Sequence, residues 1–257
     1  FMPPPPGHDR GQYRGTGYGQ LCQYRKADGT DQTWAGVDDW RPAGEYRDKA
    51  EELEPRAQAS LYFYGVNPKN NTGNSRWDLY QNWQLEYKWQ DGCAKNIKFW
   101  YEAGSREWFE FPIYRMAEFY LNIAEAYNEE GNPTMALRYL NDIRRRGGIP
   151  DETQTDRVGL RRSIHREWAV EFYVENQWYP HARHWKQGAS MVGGAKYKFE
   201  FSQAAGVSWN PRKPEEFANY TRKPSYVPEY TWHERMSLSP FTLSEVNKGY
   251  LVQNPGY

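Results

Sequence analysis

Apolar positions follow a helical rule between residues 112 and 186 and no single rule elsewhere. Ile113, Met116, Ala117, Tyr120, Leu121, Ala124 and Tyr127 recur at i, i+3, i+4 and i+7, the spacing of one buried helix face. Pro112 suits the first helical position, and Gly131 suits a left-handed cap at the other end. Asn132-Pro133 restarts the chain, and a second helix to Arg146 is predicted to bury Ala136, Leu137, Leu140 and Ile143 before Gly147-Gly148 stop it. A third helix is predicted from Asp156 as N-cap, with Leu160, Ile164, Trp168 and Phe172 laddered at i+4. A fourth runs roughly from Asn176 to Lys186, interrupted by Pro180.

Either side of this block the pattern loosens. Residues 1–110 are rich in breakers and read as long loops with short strands. Asp38-Asp39-Trp40-Arg41-Pro42 reads as a turn, Ala59 to Tyr64 as a strand stopped by Gly65, Asn67–Ser75 as a polar loop, and Asn96–Trp100 as another strand. After Gly188 the aromatic loop style returns at Lys196–Phe201, Trp209, Tyr220, Tyr226, Tyr230 and Trp232. Loops this long are uncommon unless they carry function.

Composition sharpens that contrast. Of 257 residues, 38% are apolar but 17% are aromatic, with 12 Trp and 21 Tyr, and the mean hydropathy is −1.04. Disordered chains are poor in aromatics, so this one folds, and some rings are expected to face water and a ligand. Lys plus Arg equals Asp plus Glu at 33 each, so no basic excess points to nucleic acid. The basic run Arg144-Arg145-Arg146 sits at a helix end, where cations suit the dipole. Cys22 and Cys93 form neither a CxxC nor a disulfide framework, although one bond between them is possible. No window of 18 apolar residues offers a transmembrane helix.

The first two helices match a tetratricopeptide spacing: Tyr120-x2-Ile123-Ala124-x2-Tyr127, the Gly131 turn, then Ala136-x3-Leu140 with Ile143. Any antiparallel helix hairpin is the plainer alternative. A real repeat of this kind needs about three or more copies to cover its apolar faces, and no second one stands out here. Its partners are expected from sequence outside these residues. The opening, Phe1-Met2 followed by Pro3–Pro6, looks like the middle of a longer chain.

Arg115 to Ala126 resembles a helix of the SusD/RagB family. Ala136-Leu137-x2-Leu140-Asn141-x-Ile143-Arg144 follows at the family's distance. Ile164-x2-Glu167-x3-Glu171-Phe172-x2-Glu175-Asn176-Gln177, Arg183-His184-Trp185, Glu54-Pro55-Arg56 and the ending Gln253-Asn254-Pro255-Gly256-Tyr257 are similar to further family elements. Pro180-His181 departs from it, where an acidic residue is usual.

The resemblance implies a mainly α fold with long irregular loops, a few short strands and tetratricopeptide-like helix pairs. The chain would be the C-terminal part of one such domain: 1–110 loop-rich and ligand-side, 111–187 helical, 188–257 loop-rich, with the N-terminal half elsewhere. It also implies a non-enzymatic nutrient receptor, exposed on the outer-membrane surface of a Bacteroidota-type cell and held by a lipid anchor on the missing part. Such a receptor would pass oligosaccharides, or peptides, to a SusC/RagA-like TonB-dependent barrel, with no cofactor. A carbohydrate-active hydrolase and a tetratricopeptide scaffold are the readings from other classes.

Sugar rings stack on Trp and Tyr and bond through hydroxyls to Asp, Asn and Arg. Candidate ligand residues are Tyr13, Tyr18, Trp34, Trp40, Asp39, Arg41 and Trp77, with Tyr24, Asp38 and Trp83 nearby in sequence. His181 and His184 lie three apart without an obvious third metal ligand, so no metal site is expected. Glu167 and Glu171 are expected to pair with Arg161, Arg162 or Arg166 on the helix surface rather than to act as glycosidase acids.

Overall fold

The computed structural model describes residues 17–63, 93–98, 112–193, 195–208, 216–225 and 231–257. In chain order the elements are α1 (Tyr18–Leu21), β1 (Arg41–Pro42), α2 (Ala43–Glu51), α3 (Pro55–Ser60), β2 (Leu61–Tyr62), β3 (Lys95–Asn96), α4 (Met116–Glu129), α5 (Pro133–Arg146) and α6 (Arg157–Glu171). They continue with α7 (Trp178–His184), α8 (Gly188–Met191), β4 (Tyr197–Gln203), β5 (Phe217–Pro224) and α9 (Leu243–Val246). The fold is mainly α, with a few short strands. Among the described residues, no helix is long and apolar enough to cross a membrane.

Helices α4 to α6 form one body. Ala117, Leu121 and Ala124 of α4 meet Ala136, Leu140 and Ile143 of α5 and Leu160, Ile164 and Trp168 of α6. Alanines let the axes approach, and the larger side chains fill the groove beside them. Gly131 turns the chain at φ +80°. Asn132 caps α5, its side chain accepting from the Met135 N–H, and Asp156 caps α6 by accepting from the Gly159 N–H at 2.8 Å. These ends lie where the sequence places them.

The N-terminus of α4 does not. Arg115 is extended at φ −146°, ψ 156°, and acts as N-cap. Its guanidinium is drawn to Glu171 and Glu175, so Pro112 stays outside the helix. Ile113 and Met116, expected in the core, are 77% and 66% exposed. Pro180 falls in the first turn of α7, where a missing N–H breaks no helical bond, so it does not interrupt the helix.

The second body is aromatic. β4 and β5 pair antiparallel, from Tyr197↔Pro224 to Gln203↔Phe217, with an irregularity at Ser202/Gln203, and β1 adds to the far edge of β5. Lys196–Phe201, expected as loop, is thus largely strand: Tyr197, Phe199 and Phe201 alternate onto the core face. Tyr46 of α2 sits at the centre, with its ring centroid 5.1–5.7 Å from those of Trp34, Phe199, Phe201 and Tyr220. Its hydroxyl donates to the Cys93 carbonyl at 2.6 Å. The expected strand 59–64 is helical up to Ser60, because Pro55 opens α3, and only Leu61–Tyr62 pair with Lys95–Asn96. Tyr64 to Ser75, Phe99–Trp100, Trp209, Tyr226 and Tyr230 lie outside the described residues.

A buried ion network joins the bodies. Glu171 accepts from Arg115, Arg146 and Arg56, and Glu175 from Lys98 and Arg115, both at 2.6 Å. Glu167 pairs with Arg56 and Arg144, and Glu54 with Arg56 at 2.7 Å. Glu167 and Glu171 are therefore buried partners of distant arginines, not surface partners of their own helix. Arg161 instead pairs with Glu129, and Arg166 with Asp31 at 2.5 Å. Burial pushes the Glu171 carboxyl up, but the hydrogen bonds from Arg146 and Arg115 outweigh it and hold it near about 2.

Candidate functional site

The segment Gly36 to Pro42 runs along β5 and presents the exposed part of the aromatic body. The Arg222 N–H donates to the Gly36 carbonyl at 3.2 Å, and the Asp38 N–H donates to the Arg222 carbonyl at 3.1 Å. Asp38 takes a left-handed backbone at φ +58°, a conformation that aspartate tolerates better than most residues. The chain then enters β1, where Arg41 pairs with Tyr220. This anchoring leaves Trp40 45% exposed between half-exposed Asp39 and exposed Arg41.

Arg41 Nε donates to Asp39 Oδ2 at 2.9 Å, which ties together the two side chains that flank Trp40 in sequence. The Arg41 hydrogen bond and charge hold the Asp39 carboxyl below its ordinary range. An exposed indole suits the apolar face of a sugar, and an exposed donor and acceptor on the same segment suit its hydroxyls. Lys223 pairs with Asp38 at the same loop.

The other sequence candidates part company here. Trp34 packs on the core between Tyr46 and Phe199, and its indole nitrogen is buried without a partner. Tyr18 is half-buried, edge-on to Tyr197 and Phe199. Tyr24 is fully buried. Phe199 touches both Trp34 and Tyr18, so these two share a wall of the core, while Trp40, Asp39 and Arg41 share the outer strip. Tyr13, Trp77 and Trp83 lie outside the described residues.

The histidines form a different cluster. His165 stacks on Trp185 at 3.6 Å, and His181 lies 4.0 Å from Trp168 and 4.5 Å from Trp185. Burial pushes both imidazoles down to about 4, with the positive charges of Arg161 and His184 adding to it. Among the described residues no three metal-ligating side chains converge. Cys22 and Cys93 are free thiols, and burial raises both.

Helix α4 carries a second apolar stripe beside the one it buries. Phe119 is 53% exposed beside Met116, and Tyr120, Ile123 and Tyr127 are half-buried along the same side. Tyr139 of α5 meets Tyr120 edge-on at 5.5 Å and stacks on Tyr127 at 6.1 Å. An apolar helix face of this extent is the kind that protein partners cover. Met116 falls on this exposed side rather than in the core where its spacing places it, while Tyr120 packs against the helical core as that spacing predicts.

A crystal structure of a SusD-like protein from Bacteroides fragilis superposes with a TM-score of 0.67 at 24% identity, over 95% of this chain and 47% of that one. The chain thus spans about half the length of that protein. No curated protein matches. The model of the SusD family matches residues 4–257, nearly the whole chain. The chain belongs to the SusD family.

Proposed function

We propose that the chain is part of a cell-surface nutrient receptor that binds oligosaccharides and passes them to a TonB-dependent outer-membrane barrel. The observation that carries this reading is the exposed Trp40, next in sequence to the paired Asp39 and Arg41, in a chain of the SusD family. Trp40 supplies the stacking face, Asp39 accepts from ring hydroxyls and Arg41 donates to them. Tyr18, with Tyr13 and Trp77 from the same loop-rich region, extends the ligand side. The receptor sits at the outer membrane through a lipid anchor on a preceding segment, and residues 1–257 form the C-terminal part of one SusD-like domain. Helical hairpins of that preceding part cover the Met116–Phe119 stripe, in keeping with the twofold greater length of the Bacteroides fragilis chain.

The receptor alters no bond in its ligand. Hydrolysis of a glycosidic bond needs a protonated acid beside an ionised partner. Buried Glu54, Glu167, Glu171 and Glu175 are instead each neutralised by arginine or lysine. The test is incubation with an oligosaccharide panel, reading binding and integrity together. Binding with intact sugar is expected. Cleavage would replace the receptor with a hydrolase, preference for peptides would change the ligand class, and binding of neither would leave a protein-docking scaffold.

A further inference from the structure

Around the candidate strip, three cations have carboxylate partners among the described residues. Arg41 has Asp39, Lys223 has Asp38 and Arg166 has Asp31. Arg222, at the middle of the same strand–loop unit, has no carboxylate within 4.0 Å among the described residues. Its guanidinium carbon lies 4.5 Å from the centre of the Tyr18 ring and 5.2 Å from that of Tyr197. Its Nε is buried without a hydrogen-bond partner.

The position follows from the strand register. Arg222 lies opposite Phe199, at the rim of the core face where Tyr197 and Tyr18 end the row of rings. A long side chain at such a rim covers apolar surface with its stem and keeps its head at the boundary. Here Asp31, Asp38 and Asp39 are each engaged by another cation, so among the described residues the head has no carboxylate partner of its own. A guanidinium between aromatic faces is weakly hydrated, and its planar fork matches carboxylate and sulfate geometry. The two neighbouring rings, edge-on to each other, also suit the apolar face of a pyranose.

We propose that Arg222, flanked by Tyr18 and Tyr197, is a subsite for an anionic sugar, one bearing a uronate carboxylate or a sulfate ester. The inference rests on the oligosaccharide reading above and narrows it to acidic glycans. Arg222 takes the charged group while Tyr18 and Tyr197 contact the ring that carries it. The Asp38–Arg41 segment, hydrogen-bonded to the backbone of Arg222 itself, places Trp40 on the same unit for a neighbouring residue of the chain.

The test is calorimetric titration of the full chain with an oligogalacturonate, a sulfated galactan fragment and a neutral galactan of equal length. Wild type binds one or both acidic ligands more tightly than the neutral one, and the two acidic arms tell carboxylate from sulfate. Arg222→Gln weakens the preferred acidic ligand by about tenfold or more, the scale of a lost charge-assisted hydrogen bond. It leaves the neutral ligand unchanged and removes most of the salt dependence. Arg222→Met, which keeps apolar bulk between the tyrosines, gives the same selective loss with an unaltered melting temperature should the glutamine variant fold poorly. Equal binding of acidic and neutral ligands by wild type overturns the subsite and leaves the receptor reading intact. An equal loss for both ligands in the variants, or no loss, also overturns it. Binding of no oligosaccharide at all removes both.

Discussion

The helical body and the aromatic body solve the same packing problem with different chemistry. Helices α4 to α6 close around alanine, leucine and isoleucine, with contacts between segments adjacent in the chain. The aromatic body gathers Tyr46, Phe199, Phe201, Tyr220 and Trp34 from segments up to 186 residues apart. Small side chains allow helices to approach closely and form a rigid platform. Large rings leave edges and polar tips at the rim, where Trp40, Tyr18 and Arg222 stand. The proposed recognition strip lies on the aromatic body, and the ion network around Glu171 is the joint between the two bodies.

The joint gives the largest expected effect. Glu171→Gln leaves Arg115, Arg146 and Arg56 facing a neutral amide in a buried site, and is expected to lower unfolding stability by about 3 kcal/mol or more. Urea unfolding followed by tryptophan fluorescence and by circular dichroism measures it. A loss under about 1 kcal/mol would show that the two bodies hold together without this carboxylate.

Next come the two tryptophans, which contrast core with rim. Trp34→Ala opens a hole between Tyr46 and Phe199 and is expected to cost about 2–3 kcal/mol, somewhat less than a fully buried tryptophan. Trp40→Ala is expected to stay within about 0.5 kcal/mol of wild type in stability. Equal melting temperatures for both variants would erase the distinction between wall and strip.

Acid sharpens the difference further, through groups of the helical body. His165 and His181 have folded-state values near about 4, below the ordinary value of 6.5, so the unfolded chain binds their protons first. Stability is then expected to fall as pH drops from about 6.5 toward 4. Glu171, held at about 2, adds a further loss from its ordinary 4.5 down to about 2. His165→Phe with His181→Phe should flatten the upper part of this curve while leaving the lower part. A curve unchanged by the double substitution would place the acid sensitivity elsewhere.

The smallest stability effect concerns the uncovered face of α4. Met116→Asp with Phe119→Asp should change the stability of this chain by less than about 0.5 kcal/mol per site, since both side chains are exposed. It should also reduce binding of an apolar-surface dye. A large loss of stability would mean that these residues already pack within the chain.

The same contrast explains what the sequence disclosed. Gly131, Asn132-Pro133 and Asp156 act on their immediate neighbours, so the ends of α5 and α6 can be read from local spacing. The start of α4 cannot, because Arg115 answers to Glu171 and Glu175, 56 and 60 residues away. Glu167 and Glu171 misled for the same reason: their i+4 spacing suggests partners on one helix, while the partners they have come from α3, α5 and the approach to α4. Strand β4 was within reach, since Tyr197, Phe199 and Phe201 alternate with Lys198 and Glu200. Its partner β5 shows no such alternation. In the candidate site, aromatic richness marks a region but does not sort its rings: only the packing of the folded chain separates exposed Trp40 from packed Trp34. Arg222 carries no sequence signal, because its lack of a carboxylate partner among the described residues is a property of three dimensions.

The most direct test of the receptor reading is intrinsic fluorescence titration of wild type and Trp40→Ala with the oligosaccharide that wild type binds best. The account predicts a saturable change in wild type and an affinity at least about 1 kcal/mol weaker in the variant, the scale of a lost aromatic platform. The same affinity in both proteins would contradict it.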